Sequence, residues 1–181
     1  MGCDIHAFAE KFDEGKWKQI KGRFKNTYSE SYGDEVYTGR NYELFSLLAD
    51  VRNGNGIVPI ALPKGIPTDA SHGYLAKVEQ YGSDGHSHSY FTLEELKNIS
   101  KKITGQTIHD KSLITDKDAD GTIKETCQST NGKHYGEVGK RKLFSVFKDE
   151  KSPIDEIIKS LEEEQDDKDD SKIRLVFFFD N

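Results

Sequence analysis

The chain has 181 residues, of which 34% are hydrophobic and 32% charged, with a formal net charge of -6. That length suits one domain with a modest insertion, and no apolar run is long enough to span a bilayer. The charge is local: residues 162–170 (EEEQDDKDD) hold seven acids and one lysine, while the other 172 residues balance 25 acids against 25 bases. Such a balance excludes a DNA-mimicking surface over the whole molecule and an extended basic platform, so no strong direct nucleic-acid binding is expected.

The opening Met1-Gly2-Cys3-Asp4-Ile5-His6 lacks the basic and apolar regions of an export signal, and His6 stands where a myristoylation motif needs Ser or Thr. Two cysteines, Cys3 and Cys127, build no disulfide framework, so the expectation is a reduced, cytoplasmic protein. Residues 4–12 (DIHAFAEKF) alternate as a half-buried strand does. Asp13-Glu14-Gly15 then turns the chain into a second strand over 16–20. Residues 23–39, rich in Tyr, Ser and Gly, read as loop.

A helix is expected from about Arg40 to Asn53, with Leu44, Phe45, Leu47, Leu48 and Val51 on one face and Gly54 as its stop. Residues 53–69 carry three prolines and three glycines and read as irregular. Thr92-Leu93-Glu94-Glu95 announces a second helix by a capping box. Residues 105–139 are polar and glycine-punctuated and read as an insertion or long loop. Ser152-Pro153 starts a third helix, with Ile154, Ile157, Ile158 and Leu161 as its buried stripe. An acidic linker over 162–172 leads to residues 173–179 (IRLVFFF), apolar on both faces apart from Arg174, as a central strand would be. The expectation is a single α+β domain over residues 1–181, with a small, mainly antiparallel sheet that includes the N- and C-terminal strands and about three helices.

Two constellations could carry chemistry. Asp4 and His6 share a strand face, and His86 and His88 would do likewise if their segment is extended. Four such side chains suit one divalent transition metal, zinc or manganese foremost, although the spacing matches no named ligand motif. The plainer reading is a strand-end aspartate, a packed histidine and two surface histidines. Arg52, Asn53 and Lys64 are candidate phosphate contacts at a helix end and in a glycine-rich loop; the plainer, favoured reading is that Arg52 neutralises the helix C-terminus and Asn53-Gly54 ends it. The second constellation is Asp116-Lys117-Asp118-Ala119-Asp120-Gly121, the opening of a calcium loop with Asp116, Asp118 and Asp120 as ligands. Position 12 of that loop is Cys127 rather than glutamate, so a weak calcium site competes with the favoured reading, a solvated acidic turn. The chain lacks a nucleophile elbow, a P-loop and a dinucleotide fingerprint. Tyr28, Tyr32, Tyr37 and Tyr42, with Arg40 among them, are candidates for anchoring a partner.

Met1-Gly2-Cys3-Asp4-Ile5-His6, the run Arg40-Asn41-Tyr42-Glu43-Leu44-Phe45 continuing to Asn53, and His86-Ser87-His88-Ser89 together resemble a family of small phage and prophage proteins. Gly65-Ile66-Pro67-Thr68-Asp69-Ala70-Ser71 and the closing Phe178-Phe179-Asp180-Asn181 are similar to the same family. The resemblance implies a phage accessory role in the bacterial host cytoplasm, of the kind that disarms host defence. Its implied partner is a host defence protein or nucleoprotein complex, with anti-CRISPR binding of an effector nuclease as one form. Two alternatives follow from the residues: a metal-dependent phosphoesterase or nuclease using Asp4, His6, His86 and His88, and a cyclic-nucleotide sponge using residues 52–64.

Overall fold

The structure is a computed structural model that describes residues 2–26, 29–103, 106–117, 123–127, 137–144, 152–166 and 168–181. In chain order it contains β1 (Asp4–Asp13), β2 (Lys16–Gln19), β3 (Phe24–Lys25), β4 (Tyr32–Gly33), β5 (Glu35–Tyr37), α1 (Tyr42–Ala49), α2 (His72–Tyr81) and β6 (His86–Thr92). Then follow α3 (Leu93–Ile103), β7 (Thr107–Lys117), β8 (Ile123–Cys127), β9 (Glu137–Lys142), α4 (Pro153–Glu162) and β10 (Ile173–Asp180). The fold is α+β, with a main antiparallel sheet ordered β2-β1-β10-β6 and β5 pairing beside β2 on β1.

β10 lies between β1 and β6, and every residue from Ile173 to Phe179 is buried. Strand alternation sends Ile173, Leu175, Phe177 and Phe179 to one face, where they meet Leu44 and Leu48 of α1, Leu93 and Leu96 of α3, and Ile157 and Leu161 of α4. Val176 and Phe178 go to the other face, which α2 covers with Tyr74, Val78 and Tyr81. The sheet is therefore covered on both sides.

Local chemistry explains the elements. Glu14 and Gly15 both take positive φ (50° and 79°), the conformation that a two-residue hairpin turn matching strand twist requires. Asn41 caps α1 by accepting the Glu43 and Leu44 amides at 3.0 Å each. That helix ends at Ala49, earlier than its apolar spacing suggests, because Asp50 turns left-handed (φ 59°) and returns its N–H to Ser46 at 2.9 Å. Thr92 and Glu95 close the capping box reciprocally, at 3.2 and 2.9 Å. α2 is a helix absent from the periodicity reading, started by the Ser71 hydroxyl on the Tyr74 amide.

Two segments read as loop carry strands. Residues 23–39 hold β3, β4 and β5, and within 105–139 the chain forms most of a separate antiparallel sheet ordered β8-β7-β9. At the end of that sheet where β7 begins and β9 finishes, the Phe144 amide donates to Glu43 of α1 at 2.8 Å. The acidic run is tied down: Lys97 bridges Glu162 and Asp170 at 2.9 Å each, Arg23 meets Glu164 at 3.2 Å, and Lys11 pairs with Asp166. No helix among the described residues is long and apolar enough to cross a membrane.

Candidate functional site

Asp4 and His6 of β1 and Asp180 of β10 share one face and meet at one end of the sheet, because Asp4 pairs with Asp180 and His6 with Phe178. His6 lies between two carboxylates. Its Nδ1 is 2.8 Å from Glu35 Oε1 and its Nε2 is 3.5 Å from Asp180 Oδ2. The Tyr81 and Phe178 rings pack on the imidazole at centroid distances of 4.2 and 5.0 Å. Burial opposes a charge on His6, but the Glu35 hydrogen bond and the charges of Glu35 and Asp180 outweigh it, so its pKa is raised. Burial, with the same carboxylates and Asp4, also raises the Tyr81 phenol.

Asp4 turns outward to Arg40, which donates through Nε and Nη2 at 2.8 and 2.6 Å. This bidentate pair holds the Asp4 carboxyl below its usual range. A Cβ at Gly2 would stand 2.7 Å from Arg40 Nη1, so a larger residue there would push the guanidinium away from its present place. Arg52, itself at φ 54°, donates to Asn181 Oδ1 at 2.9 Å and to the Gly2 carbonyl at 3.4 Å. Cys3 is buried beside it, and burial pushes its thiol up, away from the thiolate.

The four candidate metal ligands do not converge. Ser87 has φ 52° and shifts the β6 register, so His86 pairs with Phe179 and faces the α1 side, while His88 faces the α2 side. An unbroken strand would have put both on one face. His88 does share a face with His6, but each packs on Phe178 from a neighbouring strand, at 5.2 and 5.0 Å, so that ring separates them. Burial lowers the His88 pKa and the adjacent His86 lowers it further, against a raising backbone hydrogen bond at Gly85. Among the described residues, no group of three or more His, Cys, Asp or Glu side chains is arranged to hold a metal ion.

The phosphate candidates are each engaged elsewhere. Asn53 closes its own loop on Asp50 and Ile57, and Lys64 pairs with Glu95 at 2.9 Å while lying 4.4 Å from the Phe91 ring centroid. Asp116 lies in β7 opposite Lys124, whereas Asp118 and Asp120 fall outside the described residues. Of the candidate anchors, Tyr37 is buried in the core, Tyr42 packs on Phe45 while partly exposed, and Tyr32 projects into solvent. Tyr28 lies outside the described residues.

Glu35, Asp180 and Tyr81 are the site residues that sequence reasoning missed. Alternation flags Asp180 as sharing a face with Phe178, but nothing local to Glu35 points to His6, 29 positions away. No protein-family model, no curated protein and no solved structure matches this chain.

Proposed function

We propose that this chain is a binding protein, a phage-encoded factor that counters host defence by occupying a host protein or nucleoprotein complex, such as a CRISPR effector nuclease. The resemblance of its motifs supports the phage context. One observation carries the choice of binder over enzyme: the residues best suited to chemistry are committed to internal partners. Asp4 is held by Arg40, His6 by Glu35, Lys64 by Glu95 and Asn53 by its own loop. The motif residues Arg40, Asn41, Asp69 and Ser71 likewise serve as ion pairs and caps that fix the scaffold.

The test is titration of purified protein into a CRISPR nuclease cleavage assay, alongside phage plating on cells that express the chain. A binder inhibits stoichiometrically, reaching a plateau near equal molar amounts, and restores plating on defended cells. Inactivation at trace amounts would overturn the reading, as would unchanged plating across defended strains. Manganese-dependent turnover of bis(p-nitrophenyl) phosphate would support the phosphoesterase alternative instead.

A further inference from the structure

The loop after α1 carries two chemically equivalent dipeptides, Asn53-Gly54 and Asn55-Gly56, and holds them differently. Asn53 is clipped through both atoms of its side-chain amide. Its Oδ1 accepts the Ile57 amide at 2.8 Å, and its Nδ2 donates to the Ile57 carbonyl and to Asp50 Oδ1 at 2.6 Å each. The Gly54 amide is engaged as well, donating to the Arg52 carbonyl at 2.8 Å. Two residues on, Asn55 is partly exposed, and Gly56 is exposed at φ 65°. Neither the Asn55 side chain nor the Gly56 amide has a hydrogen-bond partner among the described residues.

An asparagine side chain is open to attack by the next peptide nitrogen, and glycine favours that attack because it has no Cβ to obstruct the approach. Space does not separate the two positions, since a Cβ at Gly54 or Gly56 would meet nothing within 4 Å. The hydrogen bonds do. At Asn53 the carbon under attack is held by bonds to both its oxygen and its nitrogen, and the attacking nitrogen already donates to Arg52, so reaction waits for the loop to open. At Asn55 nothing has to open first.

We propose that Asn55 is a site of spontaneous deamidation and that Asn53, in the same sequence context, is protected by its clip. The Gly56 nitrogen gives its proton to hydroxide and bonds to Asn55 Cγ; the Cγ–Nδ2 bond breaks and that nitrogen leaves as ammonia. Water then opens the cyclic imide at either carbonyl, giving aspartate or isoaspartate. The product adds one negative charge to a chain of net charge -6, and isoaspartate also lengthens the backbone of the turn by a methylene.

The experiment holds the full chain in warm, mildly alkaline buffer, native or unfolded in urea, and follows both positions by tryptic mass spectrometry. Cleavage after Arg52 and Lys64 releases residues 53–64 as one peptide, whose fragment ions separate the two asparagines. A third such dipeptide, Asn131-Gly132, lies outside the described residues and falls in a different tryptic peptide. In the native chain Asn55 should convert at least about tenfold faster than Asn53, because the clip must open first. In urea the two rates should converge. Asn55→Gln removes no hydrogen bond and demands a larger ring, so its 53–64 peptide should stay unmodified over the same period. Equal native rates, faster loss at Asn53, or an intact Asn55 once the unfolded chain has converted would each overturn the proposal. A rate difference that persists in urea would also overturn it, because the fold would then not be its cause.

Discussion

The two ends of β10 carry ionic clusters on the same face of the sheet, built by opposite means. At one end Arg174, 4% exposed, donates through Nε to Glu10, 0% exposed, at 2.7 Å. Arg174 also reaches Asp69 at 2.8 Å and lies 4.0 Å from the Trp17 ring centroid. The remaining Glu10 oxygen takes the Ser71 amide at 2.8 Å, and Trp17 donates to Asp69 at 3.0 Å. At the other end His6, Glu35, Asp180, Asp4 and Arg40 are partly open to solvent, and the Glu35 and Asp180 carboxylates raise the pKa of His6 against its burial. A network centred on the buried Arg174–Glu10 pair, with Asp69 reaching solvent, pins the loop over 65–71 to the sheet, whereas the one around His6 responds to pH. The same strand therefore supplies a fixed point and an adjustable one.

Arg174→Ala should break the first end outright. It leaves the Glu10 carboxylate buried without its cation, a change that costs about 3–5 kcal/mol, measurable as a lower urea midpoint. His6→Gln at the other end should cost less, about 1.5–3 kcal/mol below neutral pH, where the imidazolium hydrogen bond to Glu35 is lost.

The pH dependence sharpens the contrast further. Because the folded state raises the His6 pKa, its stabilisation is complete below the ordinary imidazole value and fades as pH rises through the folded one. Glu35, Asp180, Asp4 and Tyr81 are the titratable groups around it, so Glu35→Gln should lower the His6 midpoint followed by imidazole NMR. His88 has the opposite sign. Its depressed pKa favours the neutral ring, so its contribution is lost as pH falls below the ordinary value. The smallest effect belongs to Arg40→Ala: that pair is half exposed on both partners, so solvent screens it and the urea midpoint should barely move.

Much of this architecture was legible from local pattern. β1 and its hairpin, the Thr92–Glu95 box, the Ser152-Pro153 helix start and the doubly apolar last strand each announce themselves within a few residues. α2 does not, because its buried stripe is only Tyr74, Val78 and Tyr81 among polar neighbours. The bulge at Ser87 is equally silent: Gly85-His86-Ser87-His88 reads as plain alternation, and only a positive φ at a serine separates the histidines. Half of the candidate site was visible in Asp4 and His6. Glu35 and Asp180 were not, since they reach His6 through pairings that join distant parts of the chain.

The pairing of β1 with β10 also governs when the protein can fold. Asp4 and Asp180 meet across 176 positions, and β6 has β10 as its strand partner in the main sheet. While residues 173–180 are still inside the ribosome, β6 has no neighbour to pair with, and the apolar faces of α1, α3 and α4 lack the strand they pack on. Closing so long a loop is slow, and the waiting chain exposes surface that aggregates. Assembly of the β1-β10-β6 part of the sheet therefore waits until residues 173–180 have left the ribosome, and until then those apolar faces stay uncovered.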